Sequence, residues 1–479
     1  MIGPEPRPAF GLAAAALACV GCADEPGPAP APETAPSDAS FWFASGTRLR
    51  ARYYRLEGGE RELTGWFDTE LGAPCEFASG GVEPHAAPDG VTYCLPVGTA
   101  VHRADQGPFS DAACTSPIAL STAPARFVTL RSVDACASAP SVHVARPSTQ
   151  RLVYFLRNGR CEITRVQSQV STPGDLVPLS TFVSAREEPV ARDGARVSPR
   201  ARIASDGSRE IVGGWDHARG IPTRAARDSA GSQRWAPSRV AFVEPGTQVF
   251  SDGGCTARAA QKAGHSAVCP LDAVNELVGV CGVGRFSVLG PRVSAPFTTG
   301  HAAGACTPVV RPEASQTFAI GAPISDEAFA PARVLRVGPG PVVSETLTAD
   351  GDARPISRAG LYDARHAARC AVARVSDGSL RCVPGAVEDT ASWFTDAACT
   401  TRALVRPAGA CADAAEPEGA VSGFDGVERR VYAVGAQADA LYLQRPGACV
   451  NVTIPHGARV WALSDIPLSE LARAEEVEE

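Results

Sequence analysis

The sequence predicts an all-β protein made of three tandem copies of one unit of about 145 residues. The first observation is a signature of the form Ser/Thr-Asp-x-x-Cys-Thr, which occurs at 110–115, 251–256 and 395–400. The second is short segments of alternating apolar and polar residues, such as 47–54, which are typical of strands with one buried face. The third is the lack of a long amphipathic helical pattern, with the charged tail 468–479 as the one candidate helix.

Each copy divides into two halves with matching landmarks. The first half has an alternating strand, a Gly-rich turn such as 57–60, and a second strand that ends at Asp68, Asp216 or Asp363. The second half carries a cysteine followed about 22 residues later by a large apolar residue. These pairs are Cys161 with Phe182, Cys306 with Phe329, and Cys449 with Leu471. The six halves are therefore predicted to form six groups of three or four short strands, separated by turn-forming residues.

Six small antiparallel sheets, two in each copy, predict a six-bladed β-propeller, because ring closure protects the sheet edges. The unit is longer than the usual propeller repeat, so the additional residues are expected in loops. The alternative is three consecutive β-sandwich or barrel domains. The predicted copies are 41–190, 191–335 and 336–479, and the lack of flexible linkers between them favours one closed domain.

The N-terminus predicts export. The apolar run 10–18 is too short to cross a bilayer and fits the core of a signal peptide. It resembles bacterial lipoprotein signals, in which the cysteine after the cleavage site receives lipid. The sequence Ala-Leu-Ala before Cys19 favours that residue, whereas acylation of Cys22 leaves an even number of cysteines in the mature chain. An ordinary cleaved signal is the alternative. We therefore predict a lipoprotein signal at 1–22 and a Pro- and Ala-rich tether at 23–40.

The charge balance excludes one class of partner. The chain has 45 Lys and Arg against 52 Asp and Glu, a net charge of −7, and thus no basic footprint for nucleic acid. Lys262 is the only lysine, so the cations are almost all arginine, which we attribute to coding bias rather than to phosphate binding. The expected partners are the membrane, through an N-terminal lipid, and a protein or glycan ligand.

Export permits disulfide bonds among the 16 cysteines. Cys75 and Cys94 of the first copy and Cys370 and Cys382 of the third correspond to Thr223 and Trp235 of the second. Their joint replacement predicts the bonds Cys75–Cys94 and Cys370–Cys382.

The signature cysteines have several candidate partners. The nearest downstream cysteines predict Cys114–Cys136 and Cys399–Cys411. For Cys255 the candidates are Cys269 and Cys281, and equal spacing to the next cysteine favours Cys281. The partners of Cys161, Cys269, Cys306 and Cys449 stay open.

No catalytic, cofactor or metal site emerges from the motifs. The cysteines lack the close Cys/His pairs of structural zinc sites, and nucleophile-elbow and Walker patterns are missing. Asp68, Asp216 and Asp363 recur, as do Asp111, Asp252 and Asp396, and we interpret them as turn-forming side chains rather than glycosidase carboxylates. The aromatics Trp66, Trp215, Tyr362 and Trp393 would line a binding face or, equally well, fill the core.

The order Trp-Phe-Asp (66–68), Cys75, Cys-Leu-Pro (94–96) and Ser-Asp-Ala-Ala-Cys-Thr (110–115) resembles that of uncharacterised Cys-containing lipoproteins from bacteria with Ala- and Arg-rich proteomes. The resemblance covers nearly the whole exported chain, although the second copy departs from it at Thr223 and Trp235. It implies a cell-surface or periplasmic location and no established activity. With the lipoprotein signal, we expect a protein that is lipid-anchored to the bacterial outer membrane. We expect a non-enzymatic binding or structural protein; the alternative is an extracellular hydrolase acting on carbohydrate or peptide.

Overall fold

The computed structural model describes residues 39–79, 82–84, 90–103, 107–131, 140–157, 160–228, 231–243, 249–261, 271–278, 283–299, 306–309, 316–349, 352, 354–385, 387–388, 392–406, 418–425 and 428–479. The predicted signal peptide with Cys19 and Cys22, and the tether up to residue 38, lie outside this part of the chain. So do Cys136, Cys269, Cys281 and Cys411.

The fold is all-β, as predicted. One short helix, α1 (Ala39–Trp42), takes in the last two residues of the predicted tether. The first copy contains β1 (Phe43–Ala44), β2 (Leu49–Leu56), β3 (Arg61–Asp68), β4 (Ala73–Glu76), β5 (Ala78–Ser79), β6 (Val82–Pro84), β7 (Thr92–Tyr93), β8 (Leu95–Pro96), β9 (Ala100–Arg103), β10 (Ala119–Ser121), β11 (Phe127–Arg131), β12 (Ser141–Ser148), β13 (Leu152–Arg157), β14 (Arg160–Arg165), β15 (Gln169–Val177) and β16 (Ser184–Pro189).

The other two copies repeat this order. The second contains β17 (Val197–Ala204), β18 (Arg209–Asp216), β19 (Ile221–Arg227), β20 (Gln233–Pro237), β21 (Val240–Val243), β22 (Val249–Phe250), β23 (Ala259–Gln261), β24 (Ala273–Val278), β25 (Val283–Arg292), β26 (Phe297–Thr299), β27 (Cys306–Pro308), β28 (Thr317–Pro323) and β29 (Ala330–Val337). The third contains β30 (Val342–Ala349), β31 (Ser357–Asp363), β32 (Ala368–Arg374), β33 (Leu380–Pro384), β34 (Val387–Glu388), β35 (Trp393–Phe394), β36 (Ala403–Arg406), β37 (Ala420–Asp425), β38 (Glu428–Gln437), β39 (Leu441–Arg445), β40 (Ala448–Val452), β41 (Arg459–Asp465) and β42 (Arg473–Glu478). A one-turn 3-10 helix precedes the last strand of each copy, at Leu179–Thr181, Asp326–Ala328 and Leu468–Glu470.

The first halves of the three copies share one sheet that closes on itself. Each copy starts with a hairpin, β2–β3, β17–β18 or β30–β31, which the following strands extend. The last strand of each copy pairs at its start with its own copy and then with the first strand of the next. Because β42 pairs with both β33 and β2, the third copy joins the first and the ring is complete.

Ion pairs accompany the three junctions. Arg52 of β2 pairs with Glu476 of β42, and Arg200 of β17 pairs with Glu187 of β16. The junction between the second and third copies reverses the signs, with Arg336 of β29 next to the buried Glu345 of β30. Such cross-strand pairs favour the observed neighbours over strands of like charge.

This pairing does not confirm a six-bladed propeller. Continuous backbone pairing joins the first halves edge to edge, whereas the blades of a propeller are separate sheets. In the second halves, β9–β12 with β15, and β21 with β23, β24, β25 and β28, form two closed five-stranded barrels, and β34, β36, β37, β38 and β41 form a five-stranded sheet. These sheets are mixed rather than antiparallel, because β9 and β11, β21 and β24, and β34 and β37 run parallel.

Two local expectations also change. The predicted boundary between residues 335 and 336 falls inside β29, because that strand crosses from one copy to the next. The tail 468–479 is a strand rather than a helix after its single 3-10 turn. Its alternating sequence Arg-Ala-Glu-Glu-Val-Glu matches the two-residue period of a strand, and β2 offers it a backbone partner.

Each ring hairpin bends at the same place. The register between its two strands shifts between Arg52 and Tyr53, between Arg200 and Ala201, and between Glu345 and Thr346. The facing strand carries Gly65, Gly213 and Gly360 there, with φ values of 149°, 153° and 140°. Since other residues rarely adopt such angles, these glycines encode the position of the bulge.

Three equivalent cores lie around the ring. In the first copy Leu49, Trp66 and Val183 surround the bond Cys75–Cys94. In the third, Val342, Leu361 and Ala472 surround Cys370–Cys382. Each core also takes side chains from the following copy: Ala204, Leu347 and Leu56 respectively enter the first, second and third cores. The copies are therefore packed into one another as well as hydrogen-bonded.

The second copy fills its core with an indole ring. Thr223 and Trp235 occupy the strand positions of the two bonded cysteines, and Gly214 occupies that of Trp66 and Leu361. A Cβ atom at Gly214 would lie only 2.9 Å from Cζ3 of Trp235. The indole thus takes the volume that a disulfide and a large strand residue share in the other copies. Its Nε1 donates a hydrogen bond to the carbonyl oxygen of Thr348 at 3.2 Å.

The signature cysteines bond to different partners from those predicted. The bonds are Cys114–Cys161, Cys255–Cys306 and Cys399–Cys449, so Cys136, Cys281 and Cys411 were the wrong choices. The reason is the pairing of the residue before each signature. Phe109, Phe250 and Phe394 pair with Tyr154, Phe297 and Tyr442 of a distant hairpin, and this pairing brings the two cysteines together.

Candidate functional site

The most distinctive surface feature is a set of three loop–hairpin units. Each unit is a signature loop, the phenylalanine before it, and the hairpin to which the loop is bonded. Unit 1 comprises 109–116 with β13 and β14, unit 2 comprises 250–257 with β26 and β27, and unit 3 comprises 394–401 with β39 and β40. Cys114, Cys255 and Cys399 have φ values of 52°, 52° and 51°, a left-handed conformation that each loop and its disulfide hold in place.

The aspartate of each signature organises its own loop. Asp111 accepts hydrogen bonds from the backbone N–H groups of Ala113, Thr115 and Ser116 and from the Thr115 hydroxyl. Hydrogen bonding from Ser116, and then from Thr115, lowers the pKa of Asp111 to about 2. Hydrogen bonds from Thr401 and Thr400 lower the pKa of Asp396 to about 2. These carboxylates are committed to their turns and do not point to a ligand.

Asp252 does the same in the second copy. It accepts hydrogen bonds from the backbone of Thr256 and Ala257 and from the Thr256 hydroxyl. The Thr256 hydroxyl, followed by the Ala257 N–H, lowers the pKa of Asp252. The three loops therefore share one pattern of hydrogen bonds to the signature aspartate.

An aromatic residue lies at the centre of each hairpin. Tyr154, Phe297 and Tyr442 are all half-buried, and each lies two residue pairs away from the bonded cysteine. The ring of Phe297 lies 3.5 Å from the Cβ position of Gly253, so it rests on the signature loop. Sequence reasoning missed these residues, although an aromatic seven or nine residues before Cys161, Cys306 and Cys449 was an available signal.

The residues opposite these aromatics differ between copies. Ile163 faces Tyr154, Pro308 faces Phe297, and Asn451 faces Tyr442, and all three are exposed. The residues that pair with the hairpin cysteines also differ: they are Leu156, Thr299 and Gln444. A common scaffold thus carries three different outer surfaces.

The recurring aspartates of the ring hairpins are buried turn residues. Asp68 accepts hydrogen bonds from the N–H groups of Glu70 and Leu71 and a bidentate pair from Arg48 at 2.8 and 2.7 Å. Asp216 has the same turn bonds, to Ala218 and Arg219, with Arg196 at 3.4 Å.

In the third copy, a histidine replaces the arginine as the side-chain partner of the turn aspartate. Pro341 takes the position of Arg48 and Arg196, so the arginine is lost. His366, within the turn itself, places Nδ1 2.9 Å from Asp363. In all three copies the carboxylate stabilises a turn, which is the interpretation that the sequence favoured.

The four recurring aromatics do not form one binding face. Trp66 is buried in the first core, and Trp393 packs against a core of the third copy's second half. Trp215 and Tyr362 are half-buried at equivalent positions on the ring, where the Arg336 guanidinium lies 3.4 Å from the ring centroid of Tyr362. Core packing therefore accounts for Trp66 and contributes to the burial of Trp393, whereas Trp215 and Tyr362 occupy equivalent positions in two different copies.

The positions just after the three bulges break the threefold pattern. Leu63, Ile211 and Arg358 occupy equivalent positions after the bulge. Leu63 and Ile211 pack against the cluster that contains Trp42, whereas the Arg358 guanidinium lies 5.0 Å from the Trp42 ring centroid and donates to the Arg61 carbonyl. Burial lowers the pKa of Arg358, and burial raises that of Glu62 against the opposing effect of Arg358. The N-terminal segment thus seals this region by cation–π and apolar contacts.

One serine–histidine contact has the distance of a catalytic pair but not its accessibility. Ser198 Oγ lies 2.8 Å from His217 Nε2, and Ser198 is fully buried. A nucleophile has to reach its substrate, so this geometry serves packing. Across the described residues, no group of three or more His, Cys, Asp and Glu side chains is arranged to hold a metal ion.

The disulfides indicate the environment of the protein. Five bonds join described cysteines, which is typical of a protein that folds in an oxidising or extracellular compartment. Among the described helices, none has the length and apolar character required to cross a membrane.

Comparison with protein families finds a match over most of the chain. The sequence profile of a family described as "Family of unknown function (DUF7481)" matches residues 33–414 and, separately, 342–479. No curated protein matches the chain. No solved structure matches it either.

Proposed function

The chain belongs to that family of unknown function, and we propose that it is a lipid-anchored bacterial envelope protein that presents binding surfaces on its three loop–hairpin units. The observation that carries the proposal is the contrast within these units. Their disulfides, Asp turns and aromatic pairs are shared, while the exposed residues Ile163, Pro308 and Asn451 differ. Functional variation on a rigid support is the usual arrangement of binding loops.

Two observations, the disulfide bonds and the N-terminal sequence, support the envelope location. Five disulfides fit an oxidising compartment, and the run 10–18 before Cys19 and Cys22 fits a lipoprotein signal. Labelling of cells with radioactive palmitate tests the anchor. We expect label on the wild-type chain and none on the Cys19→Ser/Cys22→Ser variant, with either single variant identifying the acylated residue. An unlabelled wild-type chain would show that the signal is an ordinary cleaved one.

Photo-crosslinking in cells tests the binding role. A photoreactive phenylalanine derivative is placed at Ile163, Pro308 or Asn451, one in each unit. The matched control is Val97, which is 56% exposed like Ile163 and directly follows β8, outside the units. We expect a discrete protein or glycan adduct from at least one unit position and none from Val97. Adducts of equal strength at all four positions, or none at the three units, would argue against the proposal.

A hydrolase is the competing outcome. Incubation with extracellular polysaccharides and peptides is expected to leave them intact. If a substrate is cleaved, Asp68→Asn, Asp216→Asn and Asp363→Asn distinguish the roles of these carboxylates. A variant that loses cleavage at unchanged melting temperature would identify a catalytic residue, whereas a turn residue lowers the melting temperature when it is replaced.

A further inference from the structure

The hairpin of unit 1 differs in charge from its two counterparts. Residues 151–165 contain four arginines and one glutamate, whereas the corresponding residues 294–310 contain no Arg, Lys, Asp or Glu. Residues 439–453 contain one aspartate and one arginine. The hairpin of unit 1 is therefore strongly basic in a chain whose net charge is −7, and the other two are neutral.

The same hairpin exposes large apolar side chains. Leu152 is 51% exposed and Ile163 is 56% exposed. Both lie on the face that carries Tyr154, since Leu152 pairs with Arg165 and Tyr154 pairs with Ile163. The opposite face carries Val153 and Phe155, which pack into a core. Arg165 is exposed on this same face, opposite Leu152, whereas the exposed Arg151 and Arg160 lie at the two ends of the hairpin, on the side of Val153 and Phe155 by strand alternation.

The other two copies form the same hairpin without arginine at the positions of Arg151, Arg160 and Arg165. Charges on an edge strand often prevent aggregation, and within the described chain β14 pairs with β13 alone. The edge strands β27 and β40 are just as open, pairing with β26 and β39, and they carry no charged side chain. The counterparts of Arg160 are Ala305 and Ala448, so the scaffold tolerates a small neutral residue there.

We propose that the hairpin of unit 1 docks on a lipid surface with anionic headgroups. The proposal rests on the envelope location proposed above, which places the protein next to a membrane. Exposed arginines bind anionic headgroups, while leucine, isoleucine and tyrosine side chains enter the interface between headgroups and acyl chains. A soluble polyanionic glycan would neutralise the arginines but leave Leu152 and Ile163 in water.

The overall charge gives this docking an orientation. The remainder of the chain has a net negative charge, so an anionic membrane repels it on average while it attracts the basic hairpin. The hairpin would meet the membrane while units 2 and 3, with neutral hairpins, stay in solution.

Vesicle flotation of the full chain carrying Cys19→Ser and Cys22→Ser tests the docking without an acyl chain. Vesicles of phosphatidylcholine with phosphatidylglycerol are compared with vesicles of phosphatidylcholine alone. The test variant is Arg151→Ser/Arg160→Ala/Arg165→Thr, in which each new residue stands at a corresponding position of another copy. We expect a loss of affinity for anionic vesicles on the order of a hundredfold, about fivefold for each arginine.

Two further variants separate position from total charge. Arg374→Ser/Arg445→Ser/Arg459→Ser removes three exposed arginines outside the hairpin of unit 1, and we expect less than about a threefold loss of affinity. Leu152→Ala/Ile163→Asn keeps the charge but removes the apolar contact, and we expect at least about a tenfold loss that persists at high salt. Unchanged melting temperatures confirm that each variant is folded.

Two results would overturn the proposal: no binding to anionic vesicles, or an equal loss of affinity in the control triple variant. Retention on a heparin column without vesicle binding would assign the hairpin to a soluble polyanion. A crosslink from Ile163 to a protein, without vesicle binding, would assign it to a protein partner. Palmitate labelling is independent, so an acylated protein whose Cys-to-Ser form ignores vesicles would leave the proposed function intact.

Discussion

The first and second copies fill the same core in different ways. In the first copy, the bond Cys75–Cys94 packs in the core beside Trp66. In the second copy, Trp235 of β20 fills the core, and Gly214 has no side chain that would clash with the indole. The large side chain of the core thus lies on the second strand of the first copy (Trp66) and on the fourth strand of the second copy (Trp235). The second copy has a buried indole ring where the first has a disulfide bond. The comparison shows that the core of each copy has to be filled, and that a disulfide with a large side chain or a single indole can fill it.

Trp235→Ala is expected to have the largest effect. It removes the indole from a core that has no disulfide, and Gly214 and Thr223 are too small to fill the cavity. We expect a loss of about 3–5 kcal/mol in the free energy of unfolding, measured by urea denaturation. The matched control is Trp215→Ala, a half-buried aromatic on β18 of the same copy, which should cost clearly less. Equal losses would contradict the idea that Trp235 replaces the disulfide.

Removal of the ring disulfides should come next. Cys75→Ala/Cys94→Ala and Cys370→Ala/Cys382→Ala each open a bond between fully or nearly buried cysteines. We expect each pair to cost about 2–4 kcal/mol, because the unfolded chain gains freedom. Hydrogen exchange should show faster exchange in β4 and β32 and little change in β19. Faster exchange of β19 to the same extent would mean that the three cores are not separate.

Gly214→Ala tests the space around the indole. A Cβ at this position would lie 2.8 Å from Thr223 Oγ1 and 2.9 Å from Trp235 Cζ3, so we expect a loss of about 1–3 kcal/mol by overpacking. The control is Gly253→Ala, because the other copies have Ala112 and Ala397 at that position. Its effect on the melting temperature should be close to zero. A neutral Gly214→Ala variant would show that the indole can move aside.

The signature loops, which the copies share, should show the smallest effect. Asp111 and Asp396 have pKa values of about 2, below the ordinary value of an aspartate near 3.9. Since the folded pKa is lowered, their contribution to stability is complete above about pH 4 and is lost as the pH falls towards 2. NMR titration of the two carboxyl groups measures this directly.

The matched variants are Asp111→Asn and Asp396→Asn, which remove the titrating group but keep its shape. Acid titration of loop amide signals should flatten for the substituted loop and persist for the other two. Carboxyl pKa values near 4 in the wild-type loops would refute the hydrogen-bonded turn.

The cysteines show how far sequence reasoning reached. Joint replacement in the second copy identified Cys75–Cys94 and Cys370–Cys382, because a bonded pair leaves a trace at two positions. Linear proximity then misled the assignment of Cys114, Cys255 and Cys399. Their actual partners lie 47, 51 and 50 residues away, and this near-constant separation was the better signal. The predicted partners lay at 22, 26 and 12 residues, a spread that equivalent bonds do not show.

The units and the basic hairpin were harder to foresee. The phenylalanine before each signature and the aromatic before each second-half cysteine are visible in the sequence, but their pairing is not. The exposed state of Leu152 and Ile163 follows only once Val153 and Phe155 are known to face the core. Alternation reveals that a strand has two faces without saying which one is covered.

By itself, the sequence determined the all-β class, the threefold internal similarity and the turn aspartates, because each depends on local backbone geometry or on a two-residue period. Only the tertiary structure decided that β42 closes the ring on β2, that the signature loops bond to distant hairpins, and that Trp235 stands in for a disulfide. Strand edges join through backbone N–H and C=O groups that nearly all residues share. Side-chain identity therefore says little about which edges meet.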